Sequence, residues 1–189
     1  MRLIQLTGLA ASASLFLATL GCSETPAPAP RPAASPAPAH SPIAEDRYPR
    51  PLDHAQPKLP TVQLQIGNIA LETEICAKPV EILTGMMFRE KMEETEGMIF
   101  LLPGAPRKAN FYMRNTKVPL SCAYIDRAGR ILEIHDLRPY DEAPVESATE
   151  SISYVLEVPQ GWFQRRKIAI GEFVRSTKGS LPETFPGRG

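Results

Sequence analysis

Apolar and polar positions alternate with period two over Thr61-Val62-Gln63-Leu64-Gln65-Ile66, which predicts a strand with one buried face. The alternation resumes at Ile69 and runs to Ile75. Between the two runs, Gly67-Asn68 suits a two-residue hairpin loop, because both residue types tolerate positive φ. Folding about that turn sets Ile66 opposite Ile69 and Leu64 opposite Leu71, so the two apolar faces coincide in one register. From Pro79 to Arg89 the period changes. Val80, Leu83, Met86 and Met87 recur at helical spacing behind a proline suited to a first helical position. Gly97 to Leu102 is a short apolar run closed by Pro103-Gly104 and predicts a buried strand. Asn110 to Met113 predicts another. Ser121 to Asp126 and Arg130 to His135 flank Ala128-Gly129 as a second hairpin. Further strands are expected at Ser153 to Val158 and near Glu172 to Arg175, with one helical turn at Trp162 to Lys167. Many short strands with close turn signals predict a mainly β fold, a sandwich or barrel, with one short helix near residues 79–89.

Outside residues 61–178 the pattern disappears. Eleven of the 20 prolines lie between Pro26 and Pro60, and that stretch has no apolar periodicity. Proline lacks the N–H and fixes φ, so residues 22–60 are expected to be an extended tether. At about 3 Å per residue it would reach on the order of 100 Å. Residues 179–189, rich in proline and glycine, are expected to form a frayed, flexible tail. At the other end, Met1-Arg2, a mainly apolar run from Leu3 to Leu20 and then Gly21-Cys22 describe a secretory signal over residues 1–21. A cysteine directly after the small residue resembles the lipobox of bacterial lipoproteins, which implies lipidation of Cys22. Ordinary cleavage and an uncleaved anchor helix are the alternatives. The expectation is an exported cell-envelope protein held to a membrane by an N-terminal lipid. Ser23 is not the aspartate that resembles an inner-membrane retention signal, which favours the periplasmic side of the outer membrane.

Lys+Arg and Asp+Glu both number 21, so no net charge draws the chain to nucleic acid or anionic lipid. No basic stripe, zinc spacing or nucleic-acid-binding signature is present, and nucleic acid is not expected as a partner.

Several segments, in order and spacing, resemble the domain of unknown function 192 family (uncharacterised protein family 0127). They are Thr84-Gly85-Met86-Met87-Phe88-Arg89, Glu96-Gly97-Met98-Ile99-Phe100, Phe111-Tyr112-Met113-Arg114-Asn115-Thr116, Pro119-Leu120, Ile125-Asp126 and Tyr154 through Gly161. The resemblance spans about Val62 to Val174. It implies a jelly-roll-like β-sandwich and brings no assigned activity. This chain departs from the family pattern at Met86, where leucine is usual, at Tyr112, where tryptophan is usual, and at Ser121, where an aspartate usually follows Pro-Leu.

Candidate ligand-binding residues are the polar side chains of these segments: Arg89, Glu96, Arg114, Asn115, Thr116 and Glu157. Arg89 could clamp a carboxylate or phosphate bidentately, or serve the end of its helix. Asn115-Thr116 reads as turn chemistry or as a ligand contact. Glu157 stands alone between Leu156 and Val158. It should face solvent or, in a sheet covered on both sides, pair with Arg89 or Arg114, and the structural ion pair is favoured over a ligand contact. Five of the six methionines lie in the domain, and Met86, Met98 and Met113 would be the ligands of an alternative Cu(I) site; ordinary core packing is the favoured role. Cys76 and Cys122 form an even pair, open to a disulfide or to two free buried thiols. No catalytic fingerprint occurs, and no cofactor is expected. A carboxylate pair such as Glu96 with Asp126 would be needed for a hydrolase of envelope polymers, although Asp126 before Arg127-Ala128-Gly129 reads better as a turn residue. The expected function is a non-enzymatic binding or structural module, taking an unidentified envelope ligand or protein.

Overall fold

A computed structural model of the chain describes residues 49–188. The proposed signal, Cys22 and most of the proposed tether lie outside the described residues. Ten strands and three short helices follow one another in the described part. The predicted hairpin is β1 (Thr61–Ile66) and β2 (Ile69–Cys76), with Ile66 opposite Ile69 and Leu64 opposite Leu71. The short helix α1 (Pro79–Thr84) leads to β3 (Glu96–Leu101). Then come β4 (Asn110–Phe111), β5 (Leu120–Ile125), β6 (Ile131–Leu137), β7 (Val145–Glu146) and β8 (Tyr154–Pro159). The chain ends with α2 (Trp162–Arg165), β9 (Val174–Ser176), β10 (Gly179–Ser180) and α3 (Leu181–Thr184). The fold is mainly β and consistent with a sandwich.

Eight strands form one sheet in the order β10-β9-β1-β2-β3-β8-β5-β6, and β4 pairs with β7. The sheet curls until its two sides meet. Arg130 at the start of β6 bridges Phe173 at the start of β9, and Ile131 N–H donates to the Glu172 carbonyl at 2.9 Å. β2 and β3 run parallel, with α1 in the crossover between them. Strand alternation divides the apolar side chains between two cores. Leu64, Leu71, Ile99, Ala123, Leu156, Val158 and Trp162 belong to one, to which strands throughout the curled sheet contribute. Met98, Phe100, Leu120, Cys122, Tyr124 and Val155 belong to the other, on the opposite face.

α1 is shorter than predicted. It starts at a proline, and the Glu81 carboxylate accepts the Ala77 and Lys78 N–H groups. It stops at Thr84 because Gly85 takes φ 46° and Phe88 φ 62°, conformations a helix cannot continue. Met86 and Met87 are buried as predicted, but from a turn rather than from a helix face.

The boundaries also differ. Gln56 is buried and donates to the Gly85 carbonyl at 2.8 Å, so the folded part begins before residue 61. The predicted frayed tail is part of the fold. β10 pairs with β9, while Leu181 (0% exposed) and Phe185 pack into the first core. A proline-containing segment is held here because Ser180 and Glu183 cap a turn whose apolar residues face the sheet.

Candidate functional site

β8 lies between β3 and β5, which pair both its edges, and a core packs on each of its faces. Tyr154, Leu156 and Val158 point into the first core, and Val155 into the second. Alternation therefore places Glu157 beside Val155, on the face of the second core. Its direct cross-strand neighbours are Met98 on β3 and Cys122 on β5, both 0% exposed. Glu157 itself is 4% exposed, and its Oε2 is buried with no hydrogen-bond partner. Desolvation pushes its carboxyl up to about 8, so it is largely neutral near pH 7 and can donate as well as accept a hydrogen bond.

Glu157 lines a cavity of about 240 Å³. Two connections roof this space. The turn after α1 supplies Gly85, Met86 and Met87; the segment leading to β5 supplies Ala109, Phe111 and Met113. Phe100 forms part of the wall, with Phe111 edge-on to it at 4.9 Å between ring centroids. The second roof segment is pinned at its start and again at Met113, whose N–H donates to the Asp141 carbonyl at 2.7 Å. Arg107 exchanges backbone hydrogen bonds with Ile152, while the Ser147 N–H donates to the Ala109 carbonyl and the Ala109 N–H to the Ser147 hydroxyl oxygen. Arg107 and Lys108, both exposed, line the same cavity from its solvent side. The arrangement is a cavity of mixed lining, with one buried carboxyl and two exposed basic residues, Lys108 being paired with Glu146.

The six predicted ligand residues are not brought together. Thr116 and Glu157 line the cavity. The Thr116 hydroxyl donates to the Arg114 carbonyl at 3.0 Å, and its own carbonyl accepts the Tyr140 N–H. Arg114 and Asn115 are exposed in the neighbouring turn, where Asn115 has φ 52° and accepts the Phe88 N–H at 2.8 Å. Turn chemistry accounts for that pair. Arg89 clamps a carboxylate bidentately, but the carboxylate is Glu74, at 3.2 and 2.9 Å, and Arg89 also donates to the Pro57 carbonyl. Glu96 accepts the Glu93 N–H and lies 3.7 Å from Lys58. The ion pair expected of Glu157 is not formed. Arg89 is committed to Glu74, and Arg114 is exposed. Arg107, Lys108 and the enclosing turns escaped the sequence reading, because the 103–109 connection carries no periodicity.

Cys76 and Cys122 are free, buried thiols rather than a disulfide. β3 and β8 stand between their strands, which sets them about 14 Å apart along the sheet, twice the reach of a disulfide. Burial, with the nearby Glu157 adding to it, raises both thiols and keeps them protonated. Met86, Met98 and Met113 do gather in the second core with these cysteines. Among the described residues no group of three or more histidine, cysteine, aspartate or glutamate side chains could hold a metal ion. Glu96 and Asp126 belong to β3 and the end of β5, which β8 separates, and lie six residues or about 20 Å apart along the strands, so they cannot share a substrate bond. Asp126 accepts the Arg130 and Gly129 N–H groups as a turn residue. Ser121, where an aspartate was expected from the resemblance, accepts the Gly161 N–H at 2.8 Å and donates to Asp136, its cross-strand partner. The carboxylate at this place comes from β6 instead of β5.

The chain matches the model of the family DUF192, described as Uncharacterized ACR, over residues 62–176. It is similar to a protein of unknown function from Novosphingobium aromaticivorans DSM 12444, with 32% identity and a TM-score of 0.60, over 66% of this chain and 91% of that one. It is also similar to a protein from Sinorhizobium meliloti 1021 named as a candidate transcription regulator, with 26% identity and a TM-score of 0.60, over 65% of this chain and 98% of that one. No curated protein matches it.

Proposed function

The chain belongs to the domain of unknown function 192 family, and on that premise we propose that it is a non-enzymatic binding module whose cavity takes a small, mainly apolar molecule. One observation carries this reading. Glu157, in the middle of an apolar core, leaves Oε2 without a partner at the wall of a cavity of about 240 Å³. An unpartnered buried polar atom costs about 1–3 kcal/mol, a cost that a ligand's hydrogen bond would remove. The module would be exported and tethered by a lipid on Cys22, a reading supported by the apolar run and the cysteine at the end of it.

Two experiments test the parts separately. Thermal shift of the purified protein with hexanol, a neutral probe with one polar group, should show stabilisation. Ala109→Leu, which fills the cavity, and Glu157→Leu should each reduce it while leaving the protein folded. Equal stabilisation of all three proteins, or none of the wild type, would refute the cavity reading. For the anchor, labelled palmitate should enter the wild type and not Cys22→Ala; entry into both would refute lipidation at Cys22.

A second reading has the presence of Met86, Met98 and Met113 in one core in its favour, since soft sulfur ligands suit Cu(I). Competition for Cu(I) against a chromophoric chelator decides it. Capture of one equivalent, lost in Met98→Leu, would support a copper-handling role; failure to compete would end it.

A further inference from the structure

The cavity is asymmetric in charge, and the asymmetry says more about its occupant than its size does. The inner wall offers a carboxyl with a free oxygen, 4% exposed. The outer rim offers Arg107 and Lys108. Lys108 lies 3.4 Å from Glu146 across the β4–β7 pair, while Arg107 has no carboxylate partner among the described residues. The Arg107 backbone is fixed by two hydrogen bonds to Ile152, at 3.1 and 3.2 Å, so its side chain starts from a defined point at the rim. The apolar part of the lining includes Met113, Phe100 and Phe111. A cationic ligand would meet the unpaired Arg107 at the rim, beside a Lys108 whose charge Glu146 offsets. An anionic one would leave its charge at the rim, where solvent still reaches it and a guanidinium can fork onto a carboxylate.

Resting on the cavity reading above, we infer that the ligand class is a small monocarboxylate. Its acid group would meet Arg107 and Lys108, its apolar body would fill the chamber, and a hydroxyl or carbonyl at its far end would pair with Glu157. No part of this requires a reaction. The Glu157 carboxyl exchanges a hydrogen bond with the ligand, and the rim exchanges solvent for the ligand's carboxylate.

Four probes with a six-carbon chain separate the elements: hexanoate, hexanol, hexylamine and 6-hydroxyhexanoate, each titrated into the purified protein by ligand-observed NMR at low salt. Hexanoate should bind at least tenfold more tightly than hexylamine. In the Arg107→Ala/Lys108→Ala double variant that advantage should vanish while hexanol binding stays unchanged. In the double glutamate variant it should reverse. 6-Hydroxyhexanoate should bind more tightly than hexanoate in the wild type, and the gain should vanish in Glu157→Leu. Raising salt to 1 M should weaken hexanoate and not hexanol, because rim charges are screened. Equal affinity of hexanoate, hexanol and hexylamine would overturn the monocarboxylate assignment and leave the cavity reading standing. Absence of binding by all four would overturn both. Tighter binding of hexylamine would instead make Glu157 the counter-ion of an amine and refute the role of the rim.

Discussion

Glu157 and Cys122 face each other directly across the β5–β8 ladder, both buried, a carboxyl and a thiol in a row that continues to Met98. Neither neighbour is a cation. The carboxyl is thus held in its neutral form by its surroundings, and the thiol is kept protonated by burial and by the carboxyl beside it. A fold seeking stability alone would place an aliphatic side chain here.

That arrangement makes stability depend on pH with a definite sign. The Glu157 carboxyl titrates near 8 in the folded protein and near its ordinary value of 4.5 when unfolded. Between these values the folded state holds a proton that the unfolded state has lost. Its contribution to stability is therefore fully present below about pH 4.5 and is lost as pH rises to about 8, on the order of 5 kcal/mol in all. Urea unfolding at pH 5, 6.5 and 8 should show the wild type losing stability relative to Glu157→Gln across this window. Parallel pH profiles of the two proteins would contradict the burial of an unpaired carboxyl.

Arg89 is predicted to be structural. Its guanidinium and the Glu74 carboxylate are 19% and 14% exposed and joined by two hydrogen bonds. Arg89→Ala strands Glu74 and should cost about 2–4 kcal/mol in chemical unfolding. Arg89→Lys should recover only part of the loss, because an ammonium cannot make the fork. Ligand binding at the Glu157 cavity should persist in Arg89→Lys.

Gly97 is required by close approach. A Cβ there would lie 2.8 Å from Leu71 Cδ2 and 3.2 Å from the Glu157 carbonyl oxygen. Gly97→Ala must displace the Leu71 side chain and crowd the Glu157 carbonyl of β8, at a cost of about 1–3 kcal/mol. The expected readout is a lowered unfolding midpoint, with the denaturant slope unchanged.

The two domain thiols should be inert in the native state. A thiol reagent should fail to modify Cys76 and Cys122 in buffer and modify both in urea, and reductant should leave the melting temperature where it was. A melting temperature lowered by reductant would mean that a bridge forms after all.

Removing residues 179–189 should damage the fold. The truncation takes away Leu181 and Phe185, which pack in the first core, and the β10 partner of β9. The loss should be upwards of roughly 4 kcal/mol. An unchanged melting temperature would restore the view of this segment as a loose tail.

The elements legible in the sequence are those whose signal is local. The β1–β2 hairpin was readable because turn residues and alternation agree on one register, and the β5–β6 hairpin from its turn residues alone, its register shifting at Tyr124–Ile125. The ordered segments from Thr84 to Gly161 were enough to recognise the family. Tertiary structure decided the rest. Alternation tells which residues share a face of a strand and not what covers that face, so Glu157 read as facing solvent unless the sheet were covered on both sides, and the second core decided its burial. Nor does periodicity carry strand direction or distance, which is why the parallel β2–β3 pairing and the separation of Cys76 from Cys122 had to await the sheet order. The cavity is built from turns with no period of their own. Its shape and its charged rim follow from how those turns cross the second core, a relation between segments distant in the chain that no window of sequence contains.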